Sequence, residues 1–260
     1  MHRPIITLTT DFGTRDAYVA QMKGVILSRC PEARPVDLSH DIAVRDVVEA
    51  ALFVSAAVPR FPEETYHVVV IDPGVGTERF PIAVRFEDRY LFCPNNGVIT
   101  LLAHKLQLDD CRVIANPAFM NDRVSATFHG RDIFGPAAAT LASGAEFDEI
   151  GPPLEKPLRL KLGEPITNDD GTMTATVVHV DRFGNLVTNV DRETLDVFGF
   201  KRLRVGAVDI DEISRTYGDV VEGEPAALIG STGYLEIAVN RRSAANELGQ
   251  GKGSIVTFES

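Results

Sequence analysis

Along the first 150 residues the apolar positions alternate between two spacings. Ile5 to Thr10 is a β-branched run ending in Asp11-Phe12-Gly13, and from Arg15 the residues Tyr18, Val19, Met22, Val25 and Ile26 recur at helical intervals. The pattern then repeats, with Pro35 to Leu38 reading as a strand and Val44 to Val58 as an apolar-faced helix that stops before Pro59. Tyr66 to Ile71 is a continuous β-branched run, the mark of a strand buried on both faces and hence of a parallel sheet. Short strands at Ile82 to Phe86 and Tyr90 to Phe92, a helix near Val98 to Lys105, a strand at Cys111 to Ala115 and an Ala-rich helix at Ile133 to Leu141 complete the series. Alternating strands and helices predict an α/β domain with a mainly parallel sheet over residues 1–155.

From Gly151 the periodicity stops, and Pro152, Pro153, Pro157 and Pro165 punctuate a stretch read as a linker over residues 156–168. Beyond it, Thr174 to Val180, Leu186 to Val190, Leu203 to Val205, Ala226 to Ile229, Leu235 to Val239 and Ser254 to Phe258 are short β-like runs separated by Gly, Asp and Asn. They predict a small all-β, barrel-like domain over residues 169–260.

Composition narrows the function. The chain has 260 residues, 44% hydrophobic and 24% charged, enough apolar material for packed cores. Its 26 basic against 37 acidic residues leave a net charge of −11, which argues against binding the phosphates of nucleic acid. No apolar stretch approaches the length of a membrane span, and Met1 to Thr10 lacks the features of a signal peptide, so a cytoplasmic protein is expected. Cys30, Cys93 and Cys111, odd in number and widely spaced, read as reduced structural thiols.

In a parallel sheet, ligands bind at the carboxyl ends of the strands. Asp11 ends the first strand, Asp72 ends the buried one within Asp72-Pro73-Gly74-Val75-Gly76-Thr77-Glu78-Arg79, and His129 precedes a helix. Each alone fits a turn or a helix cap; together they fit one rim. Asp11-Phe12-Gly13 lacks the upstream Gly-rich lobe of a kinase, and neither a Walker A sequence nor a complete Gly-x-Gly-x-x-Gly is present. Ser231, in Gly230-Ser231-Thr232-Gly233, is not in a nucleophile elbow, and Asp209-Ile210-Asp211 reads as a solvated turn rather than a cation site.

Seven blocks occur in order: Thr9-Thr10-Asp11-Phe12-Gly13, Met22-Lys23-Gly24-Val25-Ile26, Val70-Ile71-Asp72-Pro73-Gly74-Val75-Gly76-Thr77, Pro94-Asn95-Asn96-Gly97, Phe128-His129-Gly130-Arg131-Asp132, Asp181-Arg182-Phe183-Gly184-Asn185 and Leu235-Glu236-Ile237-Ala238-Val239-Asn240. Together they resemble the S-adenosyl-L-methionine (SAM) hydrolases, or SAM hydroxide adenosyltransferases, relatives of the fluorinases and chlorinases. The resemblance implies an α/β domain joined to a β-barrel, a homotrimer with sites between neighbouring subunits, and cleavage of SAM to adenosine and L-methionine without metal or cofactor. Asp11 would hold the ribose hydroxyls, Asp181 the methionine ammonium, and Ser231 the methionine carboxylate. Phe183 and Tyr217 would pack on adenine, and Asn185 would bond its edge.

Asp72, Arg79 and His129 match the triad that distinguishes the hydrolases from the halogenases. Water must attack the ribose C5′ in line with the departing sulfur, which leaves as a neutral thioether and needs no proton. An arginine weakens a neighbouring carboxylate as a base, whereas an imidazole is poised for neutral pH. His129 is therefore expected to take part in proton removal, with Asp72 and Arg79 positioning the water. Two features argue against a halogenase: Gly130 stands where those relatives carry a halide-contacting serine, and the span from Arg79 to Tyr90 is too short for their extra loop. Gly230 departs from the asparagine often found before Ser231 in the family. A non-catalytic SAM or adenosine binder, and a metal-dependent hydrolase using Asp11, Asp72 and His129, are the competing readings. His40, His67, His104 and His179 read as packing or surface residues, and Met22 as core.

Overall fold

The computed structural model describes residues 3–161 and 163–260. Met1 and His2, within the segment Met1 to Thr10 weighed above as a possible signal peptide, and Leu162, within the expected linker, lie outside them. The chain forms two compact units, Met1–Leu160 and Lys161–Ser260.

The first unit runs β1 (Ile5–Thr10), α1 (Tyr18–Arg29), β2 (Arg34–Ser39), α2 (Val47–Ala57), β3 (Thr65–Val70), β4 (Pro81–Phe86), β5 (Arg89–Pro94), α3 (Thr100–Lys105), β6 (Asp110–Val113) and α4 (Gly135–Ala142). The sheet order is β2-β1-β3-β5-β4-β6. The first four neighbours pair in parallel, and β4 runs antiparallel to both β5 and β6. The reversal is local: Glu87 and Asp88, at φ 43° and 54°, join β4 to β5 in a tight hairpin, whereas a parallel pair needs a long crossover.

Helices cover both faces. Along β3, Val68 and Val70 join the core under α1 and α4 while Val69 and Ile71 join the one under α2 and α3, which is why the run carries no polar alternation. Helix α2 opens three residues later than the apolar pattern suggests because the Asp46 carboxylate accepts the backbone N–H groups of Val48 and Glu49. Strands β1 and β3 pair from Ile5↔Thr65 to Thr10↔Val70, so Asp11 and Asp72 leave the sheet at one rim.

The second unit comprises β7 (Ile166–Thr167), β8 (Met173–Val180), β9 (Leu186–Asp191), α5 (Arg192–Phe198), β10 (Arg202–Val205), β11 (Val208–Ile210), β12 (Pro225–Ile229), β13 (Tyr234–Val239), α6 (Ala244–Leu248) and β14 (Ile255–Glu259). The strands follow the antiparallel order β11-β10-β14-β8-β9-β13-β12, with β7 beside β8. A bridge from Ile213 to Ala227 brings the chain beyond β11 onto β12, so the sheet nearly closes into a barrel. Sequence periodicity misses β7, β11, α5 and α6. The helix signals are present, Asp191 and Ser243 as N-caps and Gly199 and Gly249 at left-handed C-caps, but each helix is too short to display an apolar stripe. Asp209 and Asp211 face Arg204 and Arg202 across the β10–β11 hairpin, as exposed ion pairs. Among the described residues no helix is long and apolar enough to cross a membrane.

Candidate active site

The rim of the first sheet carries a cavity of about 470 Å³ whose lining includes Asp11, Asp72 and His129. Phe12, Tyr18 and Phe128 form one wall, with ring centroids 5.3 to 5.8 Å apart in tilted and edge-on contacts. The Asp11 carboxylate accepts the backbone N–H of Arg45 at 2.8 Å. Arg45 itself sits at φ 64°, a left-handed backbone that turns this N–H toward the carboxylate.

Asp72 follows β3 directly, and the strand end is held by the Asn96 amide donating to the Ile71 carbonyl at 2.9 Å. The loop then folds back on itself: Thr77 donates to the Gly74 carbonyl through both its N–H and its hydroxyl. Gly76, at φ 79°, passes so close to Ala126 that a Cβ there would lie 2.4 Å from its carbonyl oxygen. This fold-back brings Arg79 onto Asp72 in a two-pronged pair, Nε donating to Oδ1 at 2.9 Å and Nη2 to Oδ2. Both side chains are buried, 9% exposed for Arg79 and 5% for Asp72. The guanidinium also lies over the Phe134 ring, 5.5 Å from its centroid.

Arg79 Nη2 reaches His129 as well, 2.7 Å from Nδ1. A guanidinium has no lone pair to offer, so it donates and Nδ1 accepts. The neutral ring then carries its hydrogen on Nε2. Burial, followed by the Arg79 charge, holds the imidazole below its ordinary value of 6.5, against opposing contributions from Asp72, Asp132 and the Ser125 carbonyl. The expectation that His129 removes the proton therefore meets a physical obstacle: the lone pair that would take it is already engaged by a cation. Arg79 Nη1 is a buried donor with no protein acceptor among the described residues.

His129 opens the π-turn Gly130–Phe134. The buried Asp132 anchors this turn, accepting the Ser125 N–H at 2.9 Å, the Asn121 amide at 3.2 Å and two N–H groups of Arg131. A Cβ on Gly130 would come within 3.1 Å of the Met22 sulfur and 3.4 Å of both Val70 methyls. Met22, fully buried, thus occupies the space that a serine would need. Gly130→Ser is expected to lower stability by about 1 kcal/mol or somewhat more, as added volume in a packed site does. Thermal unfolding of the variant beside the parent checks this.

The remaining expected site residues lie in the second unit. Phe183, Asn185 and Tyr217 share a cavity of about 520 Å³ with Val239, Arg241, Arg242 and Ser243. The Asp181 carboxylate builds the turn that presents Phe183 and Asn185, accepting their N–H groups at 2.9 and 2.8 Å and the Asn185 amide at 2.9 Å. The turn leaves Phe183 78% exposed, an aromatic side chain held out in the open. Ser231 is exposed in the β12–β13 turn and does not line this cavity. Arg45, Arg241 and Arg242, which line these cavities, and Glu236, which bonds Tyr217, were not singled out by the sequence. Only Glu236 carried a signal, as a charged residue inside the otherwise apolar run Leu235 to Val239. Among the described residues no group of three or more His, Cys, Asp or Glu side chains converges as a metal site would require.

Comparison with known proteins gives two consecutive family matches: the SAM hydroxide adenosyltransferase N-terminal domain over residues 6–151 and its C-terminal domain over residues 175–257. A Salinispora tropica protein named (R)-S-adenosyl-L-methionine hydrolase is 38% identical, covering 95% of this chain and 94% of its own length. A Thermus thermophilus protein of the same name is also 38% identical, over 96% and 97%. A fluorinase of an Actinoplanes species is 29% identical over 91% of each chain. The crystal structure of an uncharacterized conserved protein from Thermotoga maritima superposes with a TM-score of 0.87 at 33% identity, covering 98% of this chain and all of that one.

Proposed function

Because this chain belongs to the SAM hydroxide adenosyltransferase family, we propose that it hydrolyses SAM to adenosine and L-methionine, with Asp72, Arg79 and His129 handling the attacking water. The observation that carries this reading is the buried Asp72–Arg79–His129 chain of hydrogen bonds at a cavity that also holds Asp11. Water attacks C5′; the new bond is C5′–O, the bond broken is C5′–S, and its electron pair stays on sulfur as the methionine thioether. As the C–O bond forms, the attacking oxygen becomes a strong acid, so a weak base in the right place suffices. Asp72 is that base: each of its oxygens accepts one N–H from Arg79 and keeps a further lone pair. Arg79 fixes the carboxylate from behind the cavity wall, and His129, which lines the cavity beside Asp72, holds Arg79 through Nδ1.

In the same reading Asp11 takes the ribose hydroxyls, with Oδ2 already oriented by Arg45. Phe183 and Tyr217 pack on adenine and Asn185 bonds its edge. Asp181 meets the ammonium through Oδ2, which has a single protein donor, and Ser231 meets the carboxylate. Phe183→Ala is expected to weaken adenosine binding about tenfold or more while leaving the fold intact, since its ring is stacking surface with little packing of its own. Calorimetric titration and thermal unfolding check the two halves.

The reading further includes a homotrimer acting in the cytoplasm, with no metal and no cofactor. Its test is incubation of the protein with SAM in chloride and EDTA, with chromatographic separation of products beside Asp72→Asn, and light scattering for the mass. Adenosine plus methionine, lost in the variant, supports hydrolysis; activity lost on chelation and regained with metal overturns the metal-free step. Tight binding of SAM or adenosine without turnover favours a binder, and a mass other than three chains removes the trimer.

A further inference from the structure

Glu236 is a carboxylate in the wall of the second unit, 6% exposed, on the face of β13 that also carries Ala238. Its Oε2 accepts the Tyr217 hydroxyl at 2.8 Å. The register of β13 against β9 shifts between Tyr234 and Glu236, an irregularity of the kind that re-aims a side chain beside a site. Its other oxygen explains Gly230. A Cβ on Gly230 would lie 1.7 Å from Glu236 Oε1 and 2.2 Å from its Cδ, while the Gly230 backbone is not in the left-handed region. In this chain the carboxylate uses the room that the glycine leaves, and the glycine's backbone freedom plays no part.

We infer that Gly230, Glu236 and Tyr217 form a positioning relay: Gly230 makes space for the Glu236 carboxylate, which holds the Tyr217 ring in the cavity it shares with Phe183 and Asn185. The relay rests on the reading of that cavity as the adenine site and supplies what aligns one of its walls. Tyr217 is 42% exposed, and the bond to this carboxylate is what fixes its hydroxyl among the described residues. The protonation states agree with the geometry. Burial pushes the Glu236 carboxyl up, the Tyr217 bond opposing it, while the Tyr217 hydroxyl is pushed up to about 12 by burial and by that bond, so it remains a donor. Glu236 acts through Tyr217 and is a positioning residue.

The test is a double-mutant cycle on the whole protein, read as adenosine affinity by calorimetry and as KM against kcat for SAM. Tyr217→Phe and Glu236→Leu are each expected to weaken adenosine about tenfold, and their combination no further. KM should rise with kcat changed less than threefold, and Glu236→Gln, which keeps an acceptor, should bind within threefold of the parent. Gly230→Ala should reproduce the loss because its Cβ displaces the carboxylate, and should cost nothing more in a Glu236→Ala background. Additive losses at Tyr217 and Glu236, or a harmless Gly230→Ala in the parent, overturn the relay. A parent that binds neither adenosine nor SAM overturns the adenine reading and, with it, the relay's role in binding. Thermal unfolding of the same variants then still shows whether Glu236→Ala rescues Gly230→Ala, which separates a wrong cavity assignment from a wrong packing argument.

Discussion

Asp72→Asn is expected to lower kcat for SAM hydrolysis by about 10²- to 10⁴-fold, the range for losing a positioned proton acceptor. Adenosine affinity should stay within about threefold, because the proposed adenine and ribose contacts lie at other residues. The substitution also sets an amide N–H₂ against an Arg79 N–H and leaves a guanidinium only 9% exposed without its counter-charge. Removing one partner of a buried ion pair typically costs about 3–5 kcal/mol, so unfolding must be measured alongside turnover. His129→Gln is the discriminating comparison, since a glutamine oxygen can accept the Arg79 N–H but is no base. Turnover within about tenfold of the parent supports Asp72 as proton acceptor. A loss as deep as that of Asp72→Asn returns the proton to the imidazole.

The second large effect concerns stability against pH. His67 is fully buried in β3, with Nδ1 2.7 Å from the Thr7 hydroxyl and Nε2 without a partner among the described residues. Burial first, and the Arg89 charge second, push its pKa down to about 3 from 6.5. The unfolded chain therefore binds a proton between those values that the folded chain refuses, and stability falls as pH drops through this window, by about 1.4 kcal/mol per unit where the slope is full. The slope is half its full value at pH 6.5 and fades over the next unit above it, and well below about 3 both states are protonated. Between pH 8 and pH 5 the loss should reach about 2 kcal/mol. His67→Phe should flatten the denaturant-unfolding profile by that amount, although the Thr7 hydroxyl loses its partner and lowers the whole curve. Parallel profiles for parent and variant would mean that His67 binds its proton equally well in the folded and unfolded chains, and would overturn the shift.

Much of the fold could be read before any coordinates. The run Tyr66 to Ile71 announced a strand buried on both faces because it must feed two cores, and Val68 and Val69 do part to opposite sides of the sheet. The antiparallel turn at β4 was not visible, because Glu87-Asp88 lacks the glycine or asparagine that usually marks a primed hairpin turn. Helices α5 and α6 escaped because five to seven residues show no period. At the site, Asp11 and Asp72 were legible because loops that end parallel strands share a rim, whereas Arg79 came only with the family resemblance.

Sequence alone thus determined the two-unit architecture, the family and the residue types at the rim, since periodicity and ordered motifs are properties of the chain itself. Who donates to whom was decided only in three dimensions. A hydrogen bond depends on which lone pair faces which proton, and Arg79 faces Nδ1 of a residue fifty positions away. The same holds for Gly130 and Gly230: each reads as a bare glycine in the chain, and only packing shows that Met22 fills the space beside one and the Glu236 carboxylate the space beside the other.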